Sequence, residues 1–322
     1  MPAPVSPNTL VARQASEDQP PLSIKGDLAK LRWAVNNPPA DPAVSFAGKT
    51  ILVTGANTGL GFAAALSYAA KDASRLILGV RSAAKGEAAA QDISARTGMP
   101  AASIVVATVD LASLDSVRGF AARLADVAPR LDVALLNAGL ASPKFGLGSA
   151  GWEAAVQVNV LGSALLAVLV LPLLQAAADS GGQPHLTFVN SIAHADVERE
   201  WLAGSGGSLL QAANDEATFD ARKHYGMVKL LAMAAMRAIA RSPAAEGVDA
   251  SRRPRIVVNS CCPYLCKTDL GREFPLIQKA VTAVFQALFA RSAEEGARTL
   301  VGATVLGPES HGRFWHHDLL YP

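Results

Sequence analysis

The chain has 322 residues, of which 50% are hydrophobic and 17% charged, enough apolar material for a large core and too much for disorder over most of its length. A formal net charge of +2, with no basic cluster or aromatic ladder, leaves no electrostatic footprint for nucleic acid or an acidic membrane surface.

Residues 1–21 hold five prolines and few large apolar side chains, which reads as a flexible arm. No basic segment followed by an apolar core stands there, so no secretory signal is expected and a cytoplasmic location fits. Residues 24–35 (IKGDLAKLRWAV) set Leu28, Leu31 and Val35 on one helical side, which predicts a short helix docked on the domain. Pro38, Pro39 and Pro42 mark a linker, so residues 1–45 read as an arm and 46–322 as a single domain.

A short apolar strand at 50–54 (TILVT) runs into the glycine turn TGANTGLG, and FAAALSYAA continues as a helix. Gly55, Gly59 and Gly61, with Asn57, Thr58 and Leu60 between them, let backbone approach a pyrophosphate at a helix amino terminus. Further strands are expected in RLILGV (75–80), SIVVATVDL (103–111), DVALLNAG (132–139), LTFVNS (186–191), RIVVNS (255–260) and GRFWHH (312–317). Helices are expected around 84–97, 113–127, 150–178, 223–241 and 292–305. That alternation implies an α/β fold with a doubly wound parallel sheet, a Rossmann-type three-layer sandwich.

Residues 160–177 (VLGSALLAVLVLPLLQAA) approach the ~20 residues needed to cross hydrocarbon. Gly162, Ser163 and Pro172 interrupt the run, so burial against the sheet and against a second subunit, in a homodimer or homotetramer, is expected instead of a membrane span. Tyr225 and Lys229 then stand one helical turn apart in HYGMVKLLAM, on a shared face. A free phenol titrates near pH ~10, and its use as an acid near neutrality needs roughly 4 kcal/mol of differential stabilisation. A neighbouring ammonium supplies that sign of shift.

With the glycine turn and the Tyr-Lys pair in one order, the chain resembles the short-chain dehydrogenase/reductase family from about Phe46 to His317. The resemblance implies further marks: Asp110 and Leu111 near the adenine, Asn137, Ala138 and Gly139 beside the cofactor, Asn159 in the helix after them, and Ser191 ending its strand. It implies hydride transfer between a nicotinamide and a carbonyl carbon. Tyr225 would donate the proton and Ser191 would hydrogen-bond the same oxygen. Lys229 would lower the Tyr225 pKa and hold the nicotinamide ribose, with Asn159 positioning a relay water. Val80 stands where an acid would hold a bare ribose and Arg81 follows, which in the family implies NADP(H), with Ser82 and Lys85 assisting. A proline-rich lead-in and a GPESHG segment are similar to fungal, retinol-dehydrogenase-like members of secondary-metabolite pathways. Redox-neutral chemistry, such as cyclisation or dehydration, and a non-catalytic NADP-binding sensor are the alternatives.

Two features depart from the family pattern. Pro263 is followed by Tyr264 where glycine is usual, which implies an altered loop or a narrower pocket, although Thr268 still matches the threonine that touches the carboxamide. Ser191 and Tyr225 lie 34 positions apart, so the segment near 192–222 is expected to cover the substrate, as is 270–290. His194, Trp201, Phe274, Leu276 and Phe285 are candidate pocket residues, and a bulky, apolar ketone or alcohol would suit them. Cys261, Cys262 and Cys266 crowd one short loop, which is no disulfide framework and suits a reducing compartment. Zinc held with His316 and His317 is the sharper alternative; no metal is the reading adopted, with the thiols as small buried groups.

Overall fold

The computed structural model describes residues 10, 12–202, 205–247, 253–267 and 285–322. Among them nine strands form one sheet: β1 (Arg13–Gln14), β2 (Thr50–Thr54), β3 (Arg75–Val80), β4 (Ile104–Thr108), β5 (Val133–Leu136), β6 (His185–Val189), β7 (Val257–Cys262), β8 (Phe314–His316) and β9 (Leu319–Tyr321). Their order is β1-β9-β8-β7-β6-β5-β2-β3-β4, and only the β8–β9 pairing is antiparallel. Helices cover both faces, which is why the strands read as near-continuous apolar runs rather than alternating ones. Ile51 and Val53 of β2 point to α2 (Gly59–Ala70) and α3 (Ala83–Thr97), whereas Leu52 points to α4 (Leu114–Val127) and α5 (Ser163–Asp179). Two longer-range helices complete the layers: α7 (Ala221–Ala240) joins α4 and α5, and α9 (Ala293–Ala303) joins α2.

Helix starts follow from capping side chains. Ser82, Ser113 and Asp220 accept amide hydrogens at the starts of α3, α4 and α7, and Ser292 with Glu295 forms a reciprocal box at α9. The expected helix at 150–178 is divided. Glu153 Oε2 accepts from the amides of Ala155 and Val156, a π-helical stretch follows over Val156–Gly162, and α5 continues from it. By length and hydropathy this combined helix could cross a membrane, yet half of its most apolar window is buried inside the fold, with Leu166, Val170 and Leu174 fully covered.

The arm differs most from expectation. Arg13 and Gln14 pair with Leu319 and Leu320, and Leu10 donates its amide to the Val305 carbonyl. Arg13 and Gln14 thus extend the sheet by one strand. Helix α1 (Asp27–Asn36) does dock, but through Ala34; Leu28 is 61% exposed. Its anchor is Arg291, 1% exposed, which donates to the carbonyls of Ala34 and Asn37. Strand β7 runs two residues beyond the expected segment, so Cys261 and Cys262 are strand residues and only Cys266 lies in the loop; all three thiols are free and buried. The β8–β9 hairpin adds a strand that the sequence reading lacked.

Candidate active site

A cleft of about 2010 Å³ opens where β2, β3, β5, β6, β7 and β8 end. Its first half is largely backbone. Gly55 (φ 66°) and Gly59 (φ 56°) take left-handed conformations, which glycine adopts without steric cost. At Gly61 a Cβ would collide with the Gly55 carbonyl oxygen and the Asn137 amide, so the turn and α2 abut only without a side chain there. The amino terminus of α2 thereby faces the cleft, which favours negative charge, and Asn57, Thr58 and Leu60 line it with the glycines. Thr54 Oγ1 accepts from the amides of Asn137 and Ala138, both at 3.0 Å, and Asn137 Nδ2 donates to the Thr54 carbonyl at 2.9 Å. This locks the 137–139 turn against the glycine turn. Arg81, Ser82, Lys85 and Leu111 continue the wall. A cradle that a Cβ would fill, beside a helix terminus and two cations, fits a dinucleotide with its phosphates.

Asp110 does not line this wall. Its carboxylate is drawn into its own turn, accepting from the Ala112 amide at 3.0 Å. Asp92, unremarked in the sequence, does line the wall, and it is paired with Arg96 at 3.6 Å.

The second half gathers Ser191, Tyr225 and Lys229. Ser191 opens a short helical turn after β6, and its Oγ accepts from the Ala193 amide at 3.2 Å. The neighbouring Asn190 braces it: Oδ1 accepts from the Ser191 amide and Nδ2 donates to the Lys229 carbonyl. Gly226 lets α7 press against this turn, since a Cβ there would sit 3.0 Å from the Ala193 carbonyl oxygen. The Tyr225 hydroxyl is consequently brought near Ser191, whose side chain lowers its pKa.

Electrostatics here depart from the simple Tyr-Lys expectation. The Lys229 ammonium donates to the Val189 carbonyl at 3.3 Å and stands over the Tyr225 ring, 5.7 Å from its centroid. Burial pushes the Tyr225 phenol up to about 12, with the Ser191 hydrogen bond pulling it back, and burial pushes Lys229 down to about 8. Desolvation, which opposes charge on both groups, outweighs their pairing.

Several other expectations change. Asn159 is buried and does not line the cleft; its amide holds both backbone groups of Leu140, accepting at 2.9 Å and donating at 2.8 Å. His194 is turned aside by a 2.7 Å contact of Nδ1 with the Ser191 carbonyl and by the Phe314 ring. Trp201 lines a separate small hollow with Asp220 and Lys223, its indole donating to Glu198. Pro263, Tyr264 and Phe285 do line the main cleft. Thr268, Phe274 and Leu276, with most of 270–290, lie outside the described residues.

Sequence reasoning passed over one buried pair and, apart from Tyr264, one wall. Glu153 Oε2 lies 3.2 Å from His224 Nε2, tying the start of the π-helical stretch to α7; an acid opening a helical run was the available signal. The wall consists of Tyr264, His316, His317 and Tyr321 at the β7–β9 end. Two adjacent histidines after an aromatic strand carry no spacing rule that could have placed them there.

Residues 49–208 match the family described as short chain dehydrogenase. Across 91% of its length the chain is 43% identical to the short-chain dehydrogenase/reductase ffsI of Aspergillus flavipes, covering 84% of that protein. It is 42% identical to the short-chain dehydrogenase/reductase phmF of Phaeosphaeria nodorum, covering 91% of this chain and 85% of that one. In fold it is similar to L-sorbose reductase of Gluconobacter frateurii complexed with NADPH and L-sorbose, with a TM-score of 0.63 at 17% identity over 84% of this chain and 95% of that one.

Proposed function

Because the chain belongs to the short-chain dehydrogenase/reductase family of oxidoreductases, we propose that it reduces a ketone of a bulky, apolar small molecule with NADPH, or oxidises the corresponding secondary alcohol. The observation that carries this reading is the convergence of Ser191, Tyr225 and Lys229 beside a glycine cradle in one cleft. Bound NADPH supplies the hydride. Arg81, Ser82 and Lys85, which line the cleft, would hold its 2′-phosphate, and Val80 leaves no carboxylate at the strand end to oppose it.

On the protein side, the Tyr225 hydroxyl passes its proton to the substrate oxygen as negative charge grows there. Ser191 Oγ–H donates to the same oxygen, a role of the oxyanion type. Lys229, its ammonium over the Tyr225 ring, would hold the ribose and supply a positive field that favours the phenolate once the proton has left. Asn159 acts one step back by fixing the Leu140 backbone at the cleft edge. The α5 face carrying Val168, 50% exposed, is the surface through which copies associate as a homodimer or homotetramer. On this reading the enzyme works in secondary metabolism, in the cytoplasm, as a relative of the fungal short-chain dehydrogenase/reductases.

The test is incubation of the protein with a panel of aryl and alicyclic ketones while NADPH and NADH absorbance are followed in parallel. NADPH consumption that depends on ketone, and outpaces NADH, is expected. Product formed without cofactor, or tight NADPH binding without oxidation under any ketone, would replace this reading with redox-neutral chemistry or a sensor.

A further inference from the structure

Four non-glycine residues among those described have positive φ, and three of them stand at one end of the cleft: Tyr264 (66°), His317 (51°) and Asp318 (57°). Side chains seldom take this conformation, and such strain gathers where function requires it. His317 and Asp318 make the two-residue turn between His316 and Leu319, which are register partners in the β8–β9 hairpin. That turn gathers three tilted rings: His316 and His317 with centroids 3.9 Å apart and planes 50° apart, and Tyr264 inclined against them at 5.4 and 4.7 Å.

The hydrogen bonds behind these rings determine their tautomers. Arginine only donates, so His317 Nδ1, 3.1 Å from Arg291 Nη2, is an acceptor and its proton sits on Nε2. A carbonyl only accepts, so His316 Nδ1, 3.1 Å from the Cys262 oxygen, carries the proton and its Nε2 is a bare lone pair. Burial keeps both rings neutral, His316 down to about 4 and His317 below its usual range as well, the Arg291 charge adding to this in both. Among the described residues neither Nε2 has a partner. Beside them the Tyr321 hydroxyl is buried without a hydrogen bond. A buried orphan hydroxyl is a desolvation cost that a ligand group would offset.

We propose that Tyr264, His316, His317 and Tyr321 form a subsite for a second group of the carbonyl substrate: neutral, planar, and presenting a hydrogen-bond acceptor beside a donor, as an amide or an enolised β-dicarbonyl does. The donor is His317 Nε2–H and the acceptor is His316 Nε2, with the tyrosine hydroxyls free to serve either side. A planar group suits the aromatic faces that line the wall. Neutrality is favoured because Arg291 commits four of its five donors to Ala34, Asn37, Pro263 and His317 and stands behind the rings. This inference rests on the ketone-reductase reading for the word substrate, but the subsite can be tested without turnover.

Three variants delete the recognising atoms and keep the frame. His316→Asn retains a side-chain N–H for the Cys262 carbonyl. His317→Asn retains an acceptor for Arg291 and tolerates positive φ. Tyr321→Phe removes only the orphan hydroxyl. Acetanilide, an amide with no reducible ketone, is titrated calorimetrically into the NADPH-loaded protein and each variant, with circular dichroism confirming the fold. Binding to the unaltered protein, weakened about tenfold in each variant, is expected from the loss of one hydrogen bond. In the reductase assay, the preference for acetoacetanilide over benzylacetone should shrink by a similar factor. Acetanilide binding that is absent from the unaltered protein, or indifferent to all three variants, overturns the subsite. Absence of ketone reduction with acetanilide binding intact would defeat the reductase reading alone.

Discussion

The two ends of the cleft are built from different materials. At the β2–β5 end the inward groups are glycines, backbone amides and short polar turns, and Thr54 and Asn137 hold them in place through backbone contacts. At the β7–β9 end they are the side chains of Tyr264, His316, His317 and Tyr321, braced by an arginine that reaches back to the amino-terminal arm. A site that grips phosphates with backbone must spend glycines at set spacings. A site that recognises a variable molecule with side chains can draw them from any segment the fold brings near.

Removing a brace from each end is the strongest way to probe that contrast. Arg291→Ala leaves the carbonyls of Ala34 and Asn37 without their Arg291 donor, and should cost roughly 3–5 kcal/mol in a denaturant titration while exposing residues 12–36 to protease. A loss below ~1 kcal/mol with the arm still protected would show that the brace is dispensable. Gly61→Ala forces a methyl into the Gly55 carbonyl, for an expected cost of about 2–3 kcal/mol and weaker NADPH binding. If melting and binding stay unchanged, the glycine end is less tightly built than described. Arg81→Ala should weaken NADPH by about tenfold or more while NADH changes by less than about twofold, since only the former has a phosphate to lose. Equal losses on both cofactors would remove the phosphate assignment.

Acid distinguishes the ends more gently. His316 and His317 bind fewer protons folded than unfolded between about pH 6.5 and about 4, so stability rises with pH across that window and is lost on acidification. Each contributes at most ~1.4 kcal/mol per pH unit. His316→Asn should flatten the dependence of the denaturation midpoint on pH. An unchanged slope would assign the proton uptake to His185, His194 or His311, which burial also holds low.

The same contrast explains what could be read in the sequence. β2 and β3 begin and end where their apolar runs meet a turn signal, because strands buried on both faces leave an unbroken hydrophobic string. The glycine turn, Ser191, Tyr225 and Lys229 come together as their order implies. β7 was placed two residues early because Asn259 and Ser260 look like a strand end, although Thr187 and the Ala303 carbonyl satisfy Asn259 inside the core. The β8–β9 turn was illegible since His317 and Asp318 hold a conformation that sequence rules reserve for glycine and asparagine. Arg13 and Gln14 show no strand pattern, and only the exposed edge of β9 makes them one. Asp110 and Asn159 carried the right residue types, but their side chains are spent on backbone nearby.

Turnover by Tyr225→Phe, measured against the unaltered protein with NADPH and a reducible ketone, tests the central claim most directly. The variant should bind NADPH as before and consume it about a thousandfold more slowly, the loss expected when a positioned proton donor is removed. Consumption within about threefold of the unaltered protein would mean that the phenol held by Ser191 is not the proton donor.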